Sequence, residues 1–163
     1  VAYDIALVAA ALTCSLVTGL LLGFAVVAMP GIGTLDDRTF VRTFQAMDRV
    51  IQDRQPVFVL LWVGSVIAVL VVLALGWSQE TGGERLLLVG ATALWIGGLQ
   101  VPTAAINIPL NNTLQAVDVA AEDDDSVSRA RSAFERRWNT WNRVRTVAGV
   151  LASTGLVVLL AAR

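Results

Sequence analysis

The sequence predicts an all-α integral membrane protein, a four-helix bundle with amphipathic loop helices capping one side. Three observations carry that expectation. Of the 163 residues, 56% are apolar and only 15% are charged, and the mean hydropathy of +0.69 lies far above what a soluble domain of this size carries. Four apolar runs, at 5–28, 57–77, 86–106 and 144–162, can each cross ~30 Å of hydrocarbon as a helix rising ~1.5 Å per residue. The segments between them hold most of the charge and repeat their apolar residues at helical spacing. The chain reads as a single four-span membrane domain over 1–163.

The first run is too long for the apolar stretch of a signal peptide. It has no basic residue before it and no small-x-small cleavage site ahead of Pro30, so it reads as a retained span. Gly19 and Gly23 would let another helix approach its backbone, and Pro30, Gly31 and Gly33 are expected to end it. A loop helix over 36–53 follows, capped by Thr34 or Asp36, with Phe40, Phe44, Met47 and Ile51 on its apolar face and Arg38, Arg42, Asp48 and Arg49 on its polar face. Gln55 and Pro56 mark entry to the second span, and the short glycine-containing link 78–84 makes the second and third spans an antiparallel hairpin.

In the third span, Gln100, Thr103 and Asn107 share a face that must point into the bundle, because lipid cannot satisfy an amide. Pro102 is expected to kink or end this helix and Pro109 to restart a short one over 110–121. The acidic run 122–125 reads as a solvated turn, since no spaced set of calcium ligands accompanies it. With no proline from Ser126 onward, one long helix is expected, its part over 126–143 forming an amphipathic stalk and its part over 144–162 embedded.

The first and third loops together hold Arg38, Arg42, Arg49, Arg54, Arg129, Arg131, Arg136, Arg137, Arg143 and Arg145, against Arg85 and Arg163 on the other side. The positive-inside rule then places both large loops in the cytoplasm and both termini outside, in a plasma membrane. The Arg-only basic set suggests a G+C-rich bacterial genome. There is no His and no Lys, and the one cysteine, Cys14, reads as a small buried hydrophobe. Without imidazole, His-ligated haem, the usual zinc sites and Ser-His or Cys-His pairs are excluded, and no cofactor or metal site is expected. A net charge of −1 leaves no basic surface for nucleic acid. Transport is disfavoured, because no span carries a charge near its centre.

The polar residues that remain converge on the loop-rich side. Gln45, Asp48 and Arg49 lie on the first loop helix, and Asn107, Asn111 and Asn112 surround Pro109. Trp138, Trp141, Asn142 and Arg145 lead into the last span, where Trp138, Asn142 and Arg145 fall on one helix face at i, i+4 and i+7. A guanidinium at the mouth of a bundle needs acceptors, which the Asn carbonyls, Gln45 or Asp48 can supply. Trp62, Trp77 and Trp95 read as packing or interface residues.

Asn107-Ile108-Pro109-Leu110-Asn111-Asn112, followed by Trp138-Asn139-Thr140-Trp141-Asn142-Arg143-Val144-Arg145-Thr146, resembles the signature of the anthrone oxygenase-like family of small four-span membrane proteins. Phe44-Gln45-Ala46-Met47 is similar to the corresponding first-loop segment, and the resemblance runs over essentially the whole chain. One departure is Asp48, where Asn is expected more often. The resemblance implies oxidation of a lipophilic phenolic or polycyclic aromatic molecule by dioxygen, and the absence of His points to a route without metal or flavin. Arg145, Asn107 and Asn111 would then be donors to an oxyanion and Asp48 the base, with Trp138, Trp141, Asn142, Gln45 and Asn112 binding the substrate. A second reading stays open: a noncatalytic bundle serving as an accessory subunit or a lipid- or small-molecule-binding module. The expected partners are the bilayer, a lipophilic aromatic molecule, and either a second copy or another membrane protein.

Overall fold

A computed structural model describes residues 1–163. The chain folds into five helices with no strand: α1 (Ala2–Ile32), α2 (Asp37–Gln52), α3 (Pro56–Gly76), α4 (Gly82–Gln115) and α5 (Asp124–Ala161). All but α2 are long and apolar enough to cross a membrane. α1 packs between α3 and α5, and α4 packs chiefly on α5. Outward positions such as Ile5, Leu12, Leu60, Ile67 and Leu151 are exposed apolar side chains that suit contact with lipid tails.

There are two cores. One fills the bundle, with Leu7, Cys14, Val72, Leu88, Trp95, Leu99 and Leu156 buried together. The second lies in the cap, where α2 and the loop-side half of α5 bury Phe40, Phe44, Val127, Phe134 and Trp138 against Met29 and Leu114. Here Phe44 meets Phe134 edge-to-face at 4.5 Å and Trp138 at 5.6 Å.

Three sequence expectations change. Pro30 and Gly31 lie inside the last turn of α1, and of the three residues expected to end it only Gly33 does so, as the cap after Ile32. Pro102 and Pro109 do not interrupt α4. A proline ring removes a donor and crowds the preceding turn; α4 accommodates both by widening to i→i+5 turns over Leu94–Gln100 and Thr103–Asn107 before resuming as Ile108–Gln115. The separate helix expected over 110–121 is therefore the tail of α4, and 116–123 is turn. The acidic run is also more than a solvated turn. Asp123 caps α5 by accepting from the Ser126 amide at 2.7 Å, and Asp124 and Asp125 occupy the first turn, where the helix N-terminus favours negative charge. Asp36 caps α2 in the same way, through the Thr39 amide at 3.0 Å.

Arginines and glutamines fasten the cap. Arg38 donates to the Val119 and Glu122 carbonyls and to Asp124. Arg131 ties α5 to the Gly33 and Leu35 carbonyls and to Asp37 while lying 4.3 Å over the Phe40 ring. Gln45 donates to the Leu114 and Val117 carbonyls at 2.8 and 2.9 Å, and Gln115 returns a bond of 2.9 Å to the Gln45 carbonyl. Nine side-chain hydrogen bonds thus fasten the cap before the site is considered.

Candidate functional site: a capped cavity at the loop-side end of the bundle

Where the five helices converge beneath the cap, a cavity of about 220 Å³ remains. Its walls are mostly apolar: Leu20, Leu21 and Phe24 from α1, Phe44 and Ile51 from α2, Phe58 and Trp62 from α3, Ile108 from α4 and Trp138 from α5. Polar groups enter from Asp48, Thr103, Asn107, Asn111 and Arg145. Few polar groups in an apolar hollow is the usual make-up of a small-molecule site. Two of the widened turns, Phe24–Ala28 in α1 and Thr103–Asn107 in α4, contribute directly to the wall.

Arg145 is 4% exposed. Its Nη1 donates to Thr103 Oγ1 at 3.0 Å and its Nη2 to Asn142 Oδ1 at 2.9 Å, while its face lies 5.8 Å from the Trp138 ring centroid. Each acceptor is itself oriented. Thr103 gives its own proton to the Leu99 carbonyl at 2.7 Å, and Asn142 donates to the Leu21 carbonyl of α1 at 3.0 Å. Both partners are neutral, no carboxylate lies within ion-pair reach, and Nε has no partner. A buried cation without a counter-ion is costly, and it favours an anion in the space beside it.

Asn107, 2% exposed, reaches the Trp138 carbonyl only at 3.4 Å, and its Oδ1 is unpartnered. Its free end is therefore an acceptor, where the sequence suggested a donor. Asn111 bridges two helices, donating to Asp48 Oδ1 at 2.7 Å and accepting from Trp138 Nε1 at 2.8 Å. Asp48 is buried, and its other oxygen accepts from Gln52 at 2.6 Å and Gln115 at 3.0 Å. Three amide donors thus fix this carboxylate in the cavity wall.

The structure brings Asp48, Asn107, Asn111, Trp138 and Arg145 to one cavity, with Asn142 behind Arg145 as its support. It does not bring in the other three. Gln45 spends its amide on backbone carbonyls of the cap, Asn112 is exposed and meets only Gln52 at 3.4 Å, and Trp141 lies on the outer face of α5 in a shallow groove with Arg136 and Arg137. Helical periodicity explains Trp141: 138, 142 and 145 share the inward stripe, and 141 falls beside it.

Thr103, Phe24, Phe58 and Trp62 also line the cavity and lie outside the site that the sequence predicts. Thr103 belonged to the polar stripe that the sequence displays, so the signal was present. Phe58 and Trp62 stand at i, i+4 and stack with centroids 5.3 Å apart, but in a helix apolar on every side no periodicity singles out the face they occupy.

No curated protein and no solved structure matches the chain. The family model described as anthrone oxygenase matches residues 47–155. The matched stretch holds every polar residue of the cavity and leaves out α1 and most of α2. Because it covers well over half of the sequence, the chain belongs to the anthrone oxygenase family.

Proposed function

We propose that the protein is a cofactor-independent oxygenase that oxidises a lipophilic phenolic or polycyclic aromatic substrate in this cavity. The observation that carries the reading is the unpartnered Nε of buried Arg145 in the same cavity as the unpartnered Oδ1 of Asn107. A substrate that presents an ionised oxygen to the first and a hydroxyl to the second satisfies both, and the aromatic walls take its rings.

In the chemistry this supports, Asp48 takes a proton from the substrate. Arg145 stabilises the resulting anion by a charge present before the substrate arrives. The electron-rich ring carbon of the anion reacts with dioxygen to form a C–O bond. Collapse of the peroxide, with loss of the second hydrogen of a CH₂ group, gives the carbonyl and one water, so that R₂CH₂ and O₂ become R₂C=O and H₂O. Dioxygen is the oxidant, and the residues of the chain bind, orient and move the proton.

Purified protein in detergent, given an anthrone under oxygen, should form the quinone faster than a buffer blank, with one O₂ consumed per quinone. Absence of acceleration across a range of phenolic substrates overturns the reading. A stoichiometric protein partner co-purifying from native membrane would favour the accessory role instead.

A further inference from the structure

We infer that the cavity is loaded sideways from the bilayer, through the gap between the loop-side half of α3 and α4, and that its ligand is therefore drawn from the membrane phase. The inference rests on the cavity being a ligand site and is independent of the reaction performed there.

The two sides of the cavity are closed by different forces. Toward water, the lid is α2, held to α4 and α5 by the Asp48 carboxylate with its amides and by the Arg38, Gln45 and Arg131 bonds. Opening that side breaks these bonds, at a net cost of ~0.5–1.5 kcal/mol each once water replaces them, and it exposes the apolar cap core of Phe40, Phe44, Phe134 and Trp138 to water. Toward lipid, the wall is α3, and the hydrogen bonds of its side chains stay within its own first turns: Gln55 caps the Phe58 amide, and Ser65 bonds the Trp62 carbonyl. Apolar contact alone holds this side, and moving it into lipid tails strands no polar group.

Burial along α3 agrees. From Pro56 to Gly64 no residue is buried, whereas Ser65, Val69, Val72 and Gly76 anchor the far half. α3 packs chiefly on α1 and has little contact with the part of α4 that carries Thr103 to Asn111. The edges of the gap are Phe58 and Trp62 on one side and Ile108, 47% exposed, on the other. Trp62 stands six residues beyond Pro56, or ~9 Å at 1.5 Å per residue, which places the gap near the headgroup–acyl boundary where amphiphilic aromatics collect.

Size points the same way. An apolar cavity of ~150 Å³ holds one benzene ring. The 220 Å³ here takes a second ring in part, so a ligand of three fused rings must project between Phe58, Trp62 and Ile108 or displace the α3 wall outward.

The test uses the native chain in vesicles of phosphatidylcholine carrying a diazirine on the acyl chain. After photolysis, mass spectrometry maps the adducts. Sideways access predicts adducts on Phe44, Leu21 and Trp138, which are 2, 5 and 5% exposed, above the level on Trp95 and Leu88 deep in the bundle core. Adducts confined to outward residues such as Leu60 and Ile67 overturn the inference. So does modification of Phe44 and Trp138 by a water-soluble carbene in place of the lipid one. Quinone formation without interior lipid adducts would remove the route and leave the chemistry; interior adducts without turnover would do the reverse.

Discussion

Arg145 is held by two neutral acceptors on opposite sides, Thr103 and Asn142, which fixes where its third donor stands. Replacing it by alanine should lower quinone formation by ~10²–10³, the scale of losing one preorganised donor to a developing oxyanion. Arg145→Lys should not restore the rate, because an ammonium is a point charge that cannot span both acceptors and still present a donor to the cavity. Initial rates over a range of substrate concentrations measure both. Asp48 separates a chemical from a structural role. In Asp48→Asn, Gln52 can turn its carbonyl to the new amide, while Gln115 loses this partner and keeps the Gln45 carbonyl, so the variant should lose one bond's worth of stability, ~0.5–1.5 kcal/mol in detergent, while losing turnover. In Asp48→Leu the Asn111 and Gln115 donors are stranded, and thermal unfolding should show a loss of ~1–3 kcal/mol for each group left unpaired. Turnover retained in Asp48→Asn would remove Asp48 as the base.

At the scale of elements, neighbouring glycines on α4 give an internally controlled test of helix packing. A methyl group at Gly98 would stand 2.7 Å from Ala148 Cβ on α5, whereas one at Gly97 meets nothing within 4 Å. Gly98→Ala should therefore cost ~1–3 kcal/mol by overpacking, and Gly97→Ala should be neutral or slightly stabilising; melting of the two variants in one detergent compares them directly. The same helix shows what the sequence displays and what it conceals. Four apolar runs identify the spans because the bilayer fixes their length, and Gln100, Thr103 and Asn107 identify an inward face because amides cannot face lipid. Pro102 and Pro109 mislead because the rule that proline breaks a helix assumes an α-helical hydrogen-bond ladder on both sides, and α4 widens its turns instead. In the site, Asp48, Asn107, Asn111, Trp138 and Arg145 were legible as scarce polar or amphipathic groups on one side of the membrane. Phe58 and Trp62 were not, because within α3 nothing distinguishes the side chain that lines a cavity from the one that faces lipid.

For the whole molecule, the cap and the bundle respond to different variables. The Asp36 carboxyl accepts from the Thr39 hydroxyl and amide, and the Asp123 carboxyl from the Ser126 amide, so both are held below the ordinary carboxylate value of 3.8. A lowered value in the folded state means that each cap contributes fully above pH ~3.8 and is lost as pH falls through the folded value. Protection factors for amide exchange, taken against the intrinsic rate at each pH, should fall at the starts of α2 and α5 in that acidic range while those at the centres of the four spans hold; protection that is unchanged at both starts would show that the caps do not loosen. The arginines of the capped side outnumber Arg85 and Arg163 opposite. That bias predicts a cytoplasmic cap, which would place the cavity in the inner leaflet. In a Cys14→Ala background, single cysteines at Ala120 and Gly83, both exposed, report the two sides. An impermeant maleimide on intact cells should label the position-83 variant at once and the position-120 variant only after lysis. The opposite pattern would turn the cap outward, and the cavity would then draw its ligand from the outer leaflet.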